Sequence, residues 1–98
     1  MDILAQIAAS KQMEVAGKKE RLPESELVKS EHFSIPPISL VNRLLQPKIS
    51  GVIAEFKRRS PSKGCINEHS SVEAVTTGYM KAGASALSVL TDEKYFGG

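Results

Sequence analysis

A strand–helix–strand pattern in the second half of the chain constrains its fold more than any other feature. The apolar run from Val52 to Phe56 or Lys57 is typical of a strand, and so is the run Ser85–Leu90. A helical pattern that begins at Val72 lies between them. A strand, a helix and a strand joined by so short a return form a βαβ unit, so the sequence predicts an α/β fold with two parallel strands.

The boundaries of the central helix have recognisable signals. Ser70-Ser71-Val72-Glu73 matches the Ser-x-x-Glu capping box, and Gly83 fits the position just after the last turn. The connection from Arg58 to Ser70 is long in comparison with other strand-to-helix loops of α/β units, which usually have about 2–6 residues. Loops of such length are more often functional than incidental, so we expect this one to carry part of a site.

The first half of the chain reads as short helices separated by prolines. Asp2 is a good N-cap for a helix that runs from Ile3 to about Ala16 or slightly beyond. The other predicted elements are a helical turn over 24–29 with Pro23 at its first position, an extended stretch over 32–37, and a short helix that starts after Ser39 and stops at Pro47.

Two parallel strands do not make a stable sheet by themselves, because parallel sheets need cover on both faces. The βαβ unit and its extension are therefore expected to open a larger α/β protein, of which this chain is a fragment. We divide it into a helical extension over residues 1–50 and the first βαβ unit over residues 51–98, which together form a single incomplete domain.

Positive charge is concentrated in one short segment. Four cations, Lys57, Arg58, Arg59 and Lys63, lie within residues 57–63, whereas the rest of the chain carries nine basic and eleven acidic residues. The formal net charge of +2 thus comes from this segment alone. A local excess of this kind indicates a specific anionic partner.

Other classes of protein are disfavoured by what the sequence lacks. It has no run of eighteen apolar residues that could cross a membrane, and its N-terminus does not resemble a secretory signal. Cys65 is the single cysteine, which excludes an internal disulfide and a cysteine-based zinc site. His32 and His69 have no companions at metal-ligand spacing. These observations predict no metal, no membrane partner and a reducing, cytoplasmic setting.

Alternation along the first strand separates two sets of side chains. Ile53, Glu55 and Lys57 share one face, and the opposite face carries Val52, Ala54 and Phe56. An acid and a base on one face at the end of a strand are poorly suited to a plain core. They form either part of a site or an exposed ion pair on a sheet edge.

Three segments resemble the indole-3-glycerol-phosphate synthase family. Ile53–Gly64 is similar to the family's first-strand signature, Ala86–Gly98 to its second strand and following loop, and the N-terminal helix to the extra helix before its barrel. The resemblance implies the N-terminal part of a (β/α)8 TIM barrel, with an extra helix and about the first two strands only. Active sites of such barrels lie at the C-terminal ends of the strands, where Glu55 and Lys57 are expected.

The resemblance also implies an activity. Members of this family close the indole ring of 1-(2-carboxyphenylamino)-1-deoxyribulose 5-phosphate in tryptophan biosynthesis, with loss of carbon dioxide and water. They are lyases that need no metal or organic cofactor. The expected partner is therefore a small phosphorylated molecule rather than a nucleic acid.

Five residues match functional positions of the family. Lys57 matches a lysine that holds the anionic substrate and takes part in acid catalysis, and Glu55 matches a carboxylate that orients the catalytic ammonium groups. Ser60 matches a substrate-contacting serine, Pro61 shapes its turn, and Phe96 matches an aromatic residue that lines the substrate pocket. Alternatively, Ser60 only caps its loop and Phe96 is a core aromatic.

The family's principal catalytic lysine lies at the end of the third strand, outside this sequence. We therefore expect the isolated chain to have little or no activity, and its open strand edges to drive self-association. Arg58 and Arg59 are expected to be solvated or paired elsewhere rather than catalytic.

Two other functions stay open at this point: a module that binds phosphate or nucleic acid through residues 57–63, and a purely structural interaction piece. Against the first, the basic segment has no stacking aromatic nearby except Phe56, which is expected to point away.

Overall fold

The computed structural model describes residues 2–98, which form two compact units. The first ends at Pro37, and the second spans Ile38–Gly98. The second unit includes a short helix that lies before residue 50, and the domain boundary that we place after that residue stays a prediction. No helix among the described residues is long and apolar enough to cross a membrane.

Helix α1, Ile3–Arg21, makes up most of the first unit. It begins as predicted, because the Asp2 carboxylate accepts a hydrogen bond of 2.8 Å from the Ala5 amide. It ends later than predicted. Gly17 weakens a helix by about 1 kcal/mol relative to alanine, but the ion pair between Glu14 and Lys18 spans it, and cations in the last turn favour helix continuation.

The remainder of the first unit departs from prediction in two places. Helix α2 is Glu24–Leu27, and Pro23 is its N-cap rather than its first helical residue. The predicted extended stretch is a turn at its start, where the Ile35 amide donates to the His32 carbonyl. The reason is that a proline restricts only the residue directly before it, so the prolines at 36 and 37 have no effect on residues 32–34.

The second unit contains the parallel strands and the elements around them. In chain order these are α3 (Leu40–Leu45), β1 (Ile53–Phe56), β2 (Arg59–Ser60), β3 (Gly64–Cys65), α4 (Val72–Lys81), β4 (Ala86–Val89) and α5 (Glu93–Phe96).

The predicted parallel pair is confirmed, and its register is defined. Strand β1 pairs with β4 so that Glu55 lies opposite Ser88 and Phe56 opposite Val89. The pairing continues just beyond the strands, because the Leu90 amide donates to the Phe56 carbonyl at 3.0 Å. At the other end, the buried Ser85 hydroxyl accepts from the Gly51 amide at 2.7 Å. The strands thus run the same way and end together.

The helices around the pair are capped by serines. Ser39 caps α3 as predicted, by accepting from the Asn42 amide. The predicted capping box of α4 is wrong by one residue, since Ser71 accepts from the Ala74 amide while Ser70 donates to a loop carbonyl instead. The predicted end of α4 is confirmed.

Gly83 has a φ of +95°, and the next amide, Ala84, donates to the Tyr79 carbonyl. This left-handed turn sends the chain straight into β4.

The described residues bury little apolar surface. Phe56, which is 5% exposed, is the one buried hydrophobic residue among them. Strands β1 and β4 have each other as their single neighbour within residues 2–98. The structure is thus α/β with one parallel pair whose outer edges are unpaired, as the sequence predicts, and it does not itself contain a closed barrel.

Candidate active site

Glu55 and Lys57 lie at the C-terminal end of β1, and their side chains meet. Lys57 Nζ is 3.4 Å from Glu55 Oε1. The other carboxylate oxygen, Oε2, accepts a hydrogen bond of 3.2 Å from Ser88 Oγ on β4. Both strands therefore contribute to one small polar cluster, which consists of Glu55, Lys57 and Ser88. The cluster is partly open to solvent, with 37% of the Lys57 side chain and 46% of the Glu55 side chain exposed.

The backbone beneath this polar cluster is fixed from the opposite face. Phe56 is buried there, as the alternation predicts. Tyr79 on α4 donates its hydroxyl to the Glu55 carbonyl at 3.2 Å. The end of β1 is thereby held by α4 as well as by β4, so the Glu55 and Lys57 side chains start from a well-defined backbone.

A cleft of about 310 Å³ adjoins the end of β1. Glu55 and Lys57 line it together with Tyr79 and with Asn67 and Ser70 of the loop before α4. Ser60, Pro61 and Phe96 are not among its lining residues. The five residues that the sequence singles out therefore fall into two groups, the strand-borne pair and a set on the following loops.

The connection after β1 is more ordered than the sequence predicts. Strands β2 and β3 pair as a short antiparallel hairpin, with Arg59 opposite Cys65 and Ser60 opposite Gly64. Pro61 lies in the exposed turn between them. Gly64 has a φ of +65°, which suits a residue that closes so tight a turn. Pairs of two-residue strands leave almost no periodic signal, so pattern reasoning missed the hairpin.

Ser60 is buried inside this hairpin, at 8% exposure. Its hydroxyl accepts from the Lys63 amide at 3.2 Å and lies 3.4 Å from the Ser62 hydroxyl. It therefore caps the turn that contains Pro61. Since a hydroxyl that accepts one hydrogen bond can still donate another, capping does not exclude contact with a substrate.

Arg58 and Arg59 are used to hold the loops together. Arg58 donates to the Ser70 carbonyl and to the Gly97 carbonyl, and Arg59 donates to the Glu93 carbonyl. Both arginines are thus bonded to the backbone, in agreement with the expectation that they pair elsewhere.

Phe56 does not point away from all of the basic segment, contrary to prediction. The Arg58 guanidinium lies 5.2 Å from the centroid of the Phe56 ring, a cation–π distance. Residues 56 and 58 are two apart, so alternation places the Arg58 side chain on the face where this ring is buried.

Phe96 lies half-buried on α5, a helical turn where the family resemblance implies a loop. Asp92 caps this helix by accepting from the Tyr95 amide at 2.7 Å, and Gly97 ends it with a φ of +68°. Helix α5 packs against β2, so Phe96 and Ser60 lie on neighbouring elements.

Chemically, the polar cluster can bind an anion and pass a proton, because it combines an ammonium group, a carboxylate and a hydroxyl. Within residues 2–98, no three His, Cys, Asp or Glu side chains are placed to share a metal ion. Sequence reasoning missed Ser88. Its signal is weak, a single polar residue in an otherwise apolar strand, and the sequence does not give the register that brings it to Glu55.

Comparison with known proteins identifies one family. The family model for indole-3-glycerol phosphate synthase matches residues 4–98. A protein of that name from Bacteroides thetaiotaomicron is 46% identical over 97 residues, which are 99% of this chain and 37% of the relative. Relatives of the same name from Rippkaea orientalis and Microcystis aeruginosa are 43% and 42% identical over 97 and 98 residues. They match 98% and 99% of the chain, which covers 33% of each of them. The chain thus spans about a third of the length of these relatives.

Proposed function

Because this chain belongs to the indole-3-glycerol phosphate synthase family, we propose that it supplies the first two strands of a (β/α)8 barrel and one part of that barrel's active site. Strands β1 and β4 are those two barrel strands, and α4 is the crossover between them. Their parallel pairing, common end and unpaired outer edges support this role, since a barrel continues its sheet on both sides.

The proposed reaction is the ring closure of 1-(2-carboxyphenylamino)-1-deoxyribulose 5-phosphate. A bond forms between an aromatic carbon and the ketone carbon of the sugar chain, the carboxylate leaves as carbon dioxide, and water is then lost to give indole-3-glycerol phosphate. The ketone oxygen must gain protons before it leaves as water. Catalysis therefore needs an acid near that oxygen and a cation near the carboxylate.

Lys57 is the residue that we assign to these tasks. Its ammonium group lies at the end of β1, where barrel enzymes bind substrate, and it carries both a positive charge and transferable protons. The 3.4 Å contact with Glu55 is the observation that carries the assignment, because it fixes an otherwise flexible lysine side chain. Glu55 is thus an orienting carboxylate whose partner does the chemistry.

Ser60, Pro61 and Phe96 are proposed to bind the substrate from the side of the loops. The hairpin holds Ser60, whose hydroxyl proton can be donated to an anionic group, and Pro61 keeps the turn rigid. Phe96 offers its ring to the aromatic ring of the substrate. The arginine bonds to the backbone of residues 93 and 97 hold α5 and the hairpin together, which supports a shared role.

The alternative of a nucleic-acid or phosphate module gains no support from the geometry. Such a module would present its cations together, but Arg58 and Arg59 are bonded to backbone carbonyls and Lys57 is paired with Glu55. These three cations are therefore divided between two different tasks.

The proposed function can be tested by joining this chain to part of a relative. In this joined protein, residues 2–98 replace the matching segment of the Bacteroides thetaiotaomicron relative, whose remaining part completes the barrel. We expect the joined protein to form indole-3-glycerol phosphate from the carboxyphenylamino substrate, and the isolated chain to form little or none. Folded joined protein without turnover, beside an active intact relative, would contradict the proposal, and so would full turnover by the isolated chain.

A further inference from the structure

The Ser88 hydroxyl on β4 is the one group on the neighbouring strand that is bonded to the Glu55 carboxylate among the described residues. We propose that Ser88 is a positioning residue, which sets the orientation of Glu55 and through it the place of the Lys57 ammonium group. This inference rests on the proposed function and adds a residue to it.

The contact between Ser88 and Glu55 follows from the register of the sheet and does not depend on a chance orientation of two surface side chains. Glu55 and Ser88 are paired positions of two parallel strands, so their side chains leave the sheet on the same face. Ser88 Oγ lies 3.2 Å from Glu55 Oε2, while Glu55 Oε1 faces Lys57 Nζ at 3.4 Å. The carboxylate is therefore held at both oxygens, by groups from two different strands. If the Glu55 carboxylate were held at one oxygen only, it could rotate, and the Lys57 ammonium group would move with it.

Lys57 depends on this arrangement because it lies just beyond β1, where the ladder no longer fixes the chain. A lysine side chain has four rotatable bonds, and its ammonium group is placed by the charge it faces. Glu55 provides that charge through the ion pair at the end of β1. The order of dependence thus runs from Ser88 to Glu55 to Lys57.

The other serine of this segment shows what a purely structural hydroxyl looks like here. Ser85 is 3% exposed and accepts from the Gly51 amide, and its backbone amide bonds to Val52. Ser88 is half-buried and donates to a charged side chain. Replacing Ser85 should therefore affect folding, whereas replacing Ser88 should affect the geometry of the polar cluster.

The test compares variants of the joined protein. We expect Ser88→Ala to lower kcat roughly 10-fold with little change in KM, since small displacements of a catalytic group cost up to about 10²-fold. Ser88→Thr keeps the hydroxyl and suits a strand, so it should restore most of kcat. In a Glu55→Gln background, Ser88→Ala should have little further effect, because the two residues act through one contact.

Ser85→Ala is the matched control, expected to lower the melting temperature and leave kcat unchanged. Active joined protein in which Ser88→Ala has normal kcat would overturn the role of Ser88 and leave the proposed function intact. The role of Ser88 would also be overturned if Ser88→Ala lowered kcat by the same factor with and without Glu55→Gln. It would be overturned as well if kcat fell in parallel with the melting temperature in both Ser85→Ala and Ser88→Ala. A folded but inactive joined protein would overturn the proposed function, and this role with it.

Discussion

Three of the four cations of the segment 57–63 are held by neighbours that decide what each of them does. Lys57 is held by a carboxylate on its own strand, and Arg58 and Arg59 are held by backbone carbonyls of later loops. Arginine suits the second task because its planar group offers several donors at once. Two of the four cations that make up this charge excess thus connect loops to each other.

Gly97 provides a test of this loop contact. Its φ of +68° disfavours any residue with a β-carbon, and a β-carbon there would lie 3.0 Å from Arg59 Nε. We expect Gly97→Ala to lower the unfolding free energy of the joined protein by about 1–2 kcal/mol. Gly78→Ala is the control, because a β-carbon there meets nothing within 4 Å and alanine favours a helix. Urea unfolding measures both, and equal stability of the two variants would contradict the contact.

Residue pairs close in sequence are the part of the site that could be predicted. Glu55 and Lys57 are two apart in a strand, so alternation alone puts them on one face. Ser88 could not be found this way, because its meeting with Glu55 depends on the register of two strands more than thirty residues apart. The carbonyl partners of Arg58 were equally hidden, since backbone acceptors carry no sequence signal.

Among the elements, α1 shows how ion pairs extend a helix. The Glu14 carboxylate accepts from Lys11 at 2.6 Å and from Lys18 at 2.7 Å, and these bonds hold the pKa of Glu14 below its usual value. A carboxyl whose pKa is lowered by folding stabilises the folded state at neutral pH, and that stabilisation is lost as the pH falls through the lowered pKa.

We therefore expect the helical circular dichroism of the unaltered chain to fall more steeply in acid than that of the Glu14→Gln variant, which should be less helical at pH 7. The Glu20→Gln variant serves as a control, because it removes a carboxylate of the same helix that makes no ion pair with the described residues. Identical acid profiles for the unaltered chain and the Glu14→Gln variant would contradict the role of the two bonds.

Helix α4 offers a test of cap assignment between two adjacent serines. Ser71 bonds to the Ala74 amide, whereas Ser70 donates to the Asn67 carbonyl in the loop. Ser71→Ala should lower the unfolding free energy of the joined protein by about 1 kcal/mol, the usual loss for a serine cap. Ser70→Ala should have a smaller effect in the same unfolding experiment. The reverse order would restore the Ser-x-x-Glu box that the sequence predicts.

Longer elements were predictable and the shortest ones were not. The two parallel strands and α4 carry enough residues for periodicity to show, and their observed boundaries differ from prediction by at most one residue. The β2–β3 hairpin and α5 are too short for any period, and the bonds from Arg58 and Arg59 to the Gly97 and Glu93 carbonyls join elements that are distant in sequence.

At the scale of the whole molecule, the shortage of buried apolar surface is the dominant feature. In the second unit, Ile38, Val41, Leu45, Val52 and Ile53 are all at least half exposed. Together with unpaired strand edges, such surface favours association with further chain. We expect the isolated chain to self-associate in light scattering, and the joined protein to match the size of the intact relative. A clean monomer of the isolated chain would contradict this expectation.

We propose that Lys57, held by Glu55 at the end of β1, takes part in forming indole-3-glycerol phosphate. The most direct measurement is kcat/KM of the joined protein with Lys57→Ala, beside Lys48→Ala, which removes an exposed lysine in the loop before β1. We expect a loss of at least about 10²-fold for Lys57→Ala, as for removal of a general acid, and normal turnover for Lys48→Ala. Equal, near-normal turnover of both variants would contradict it.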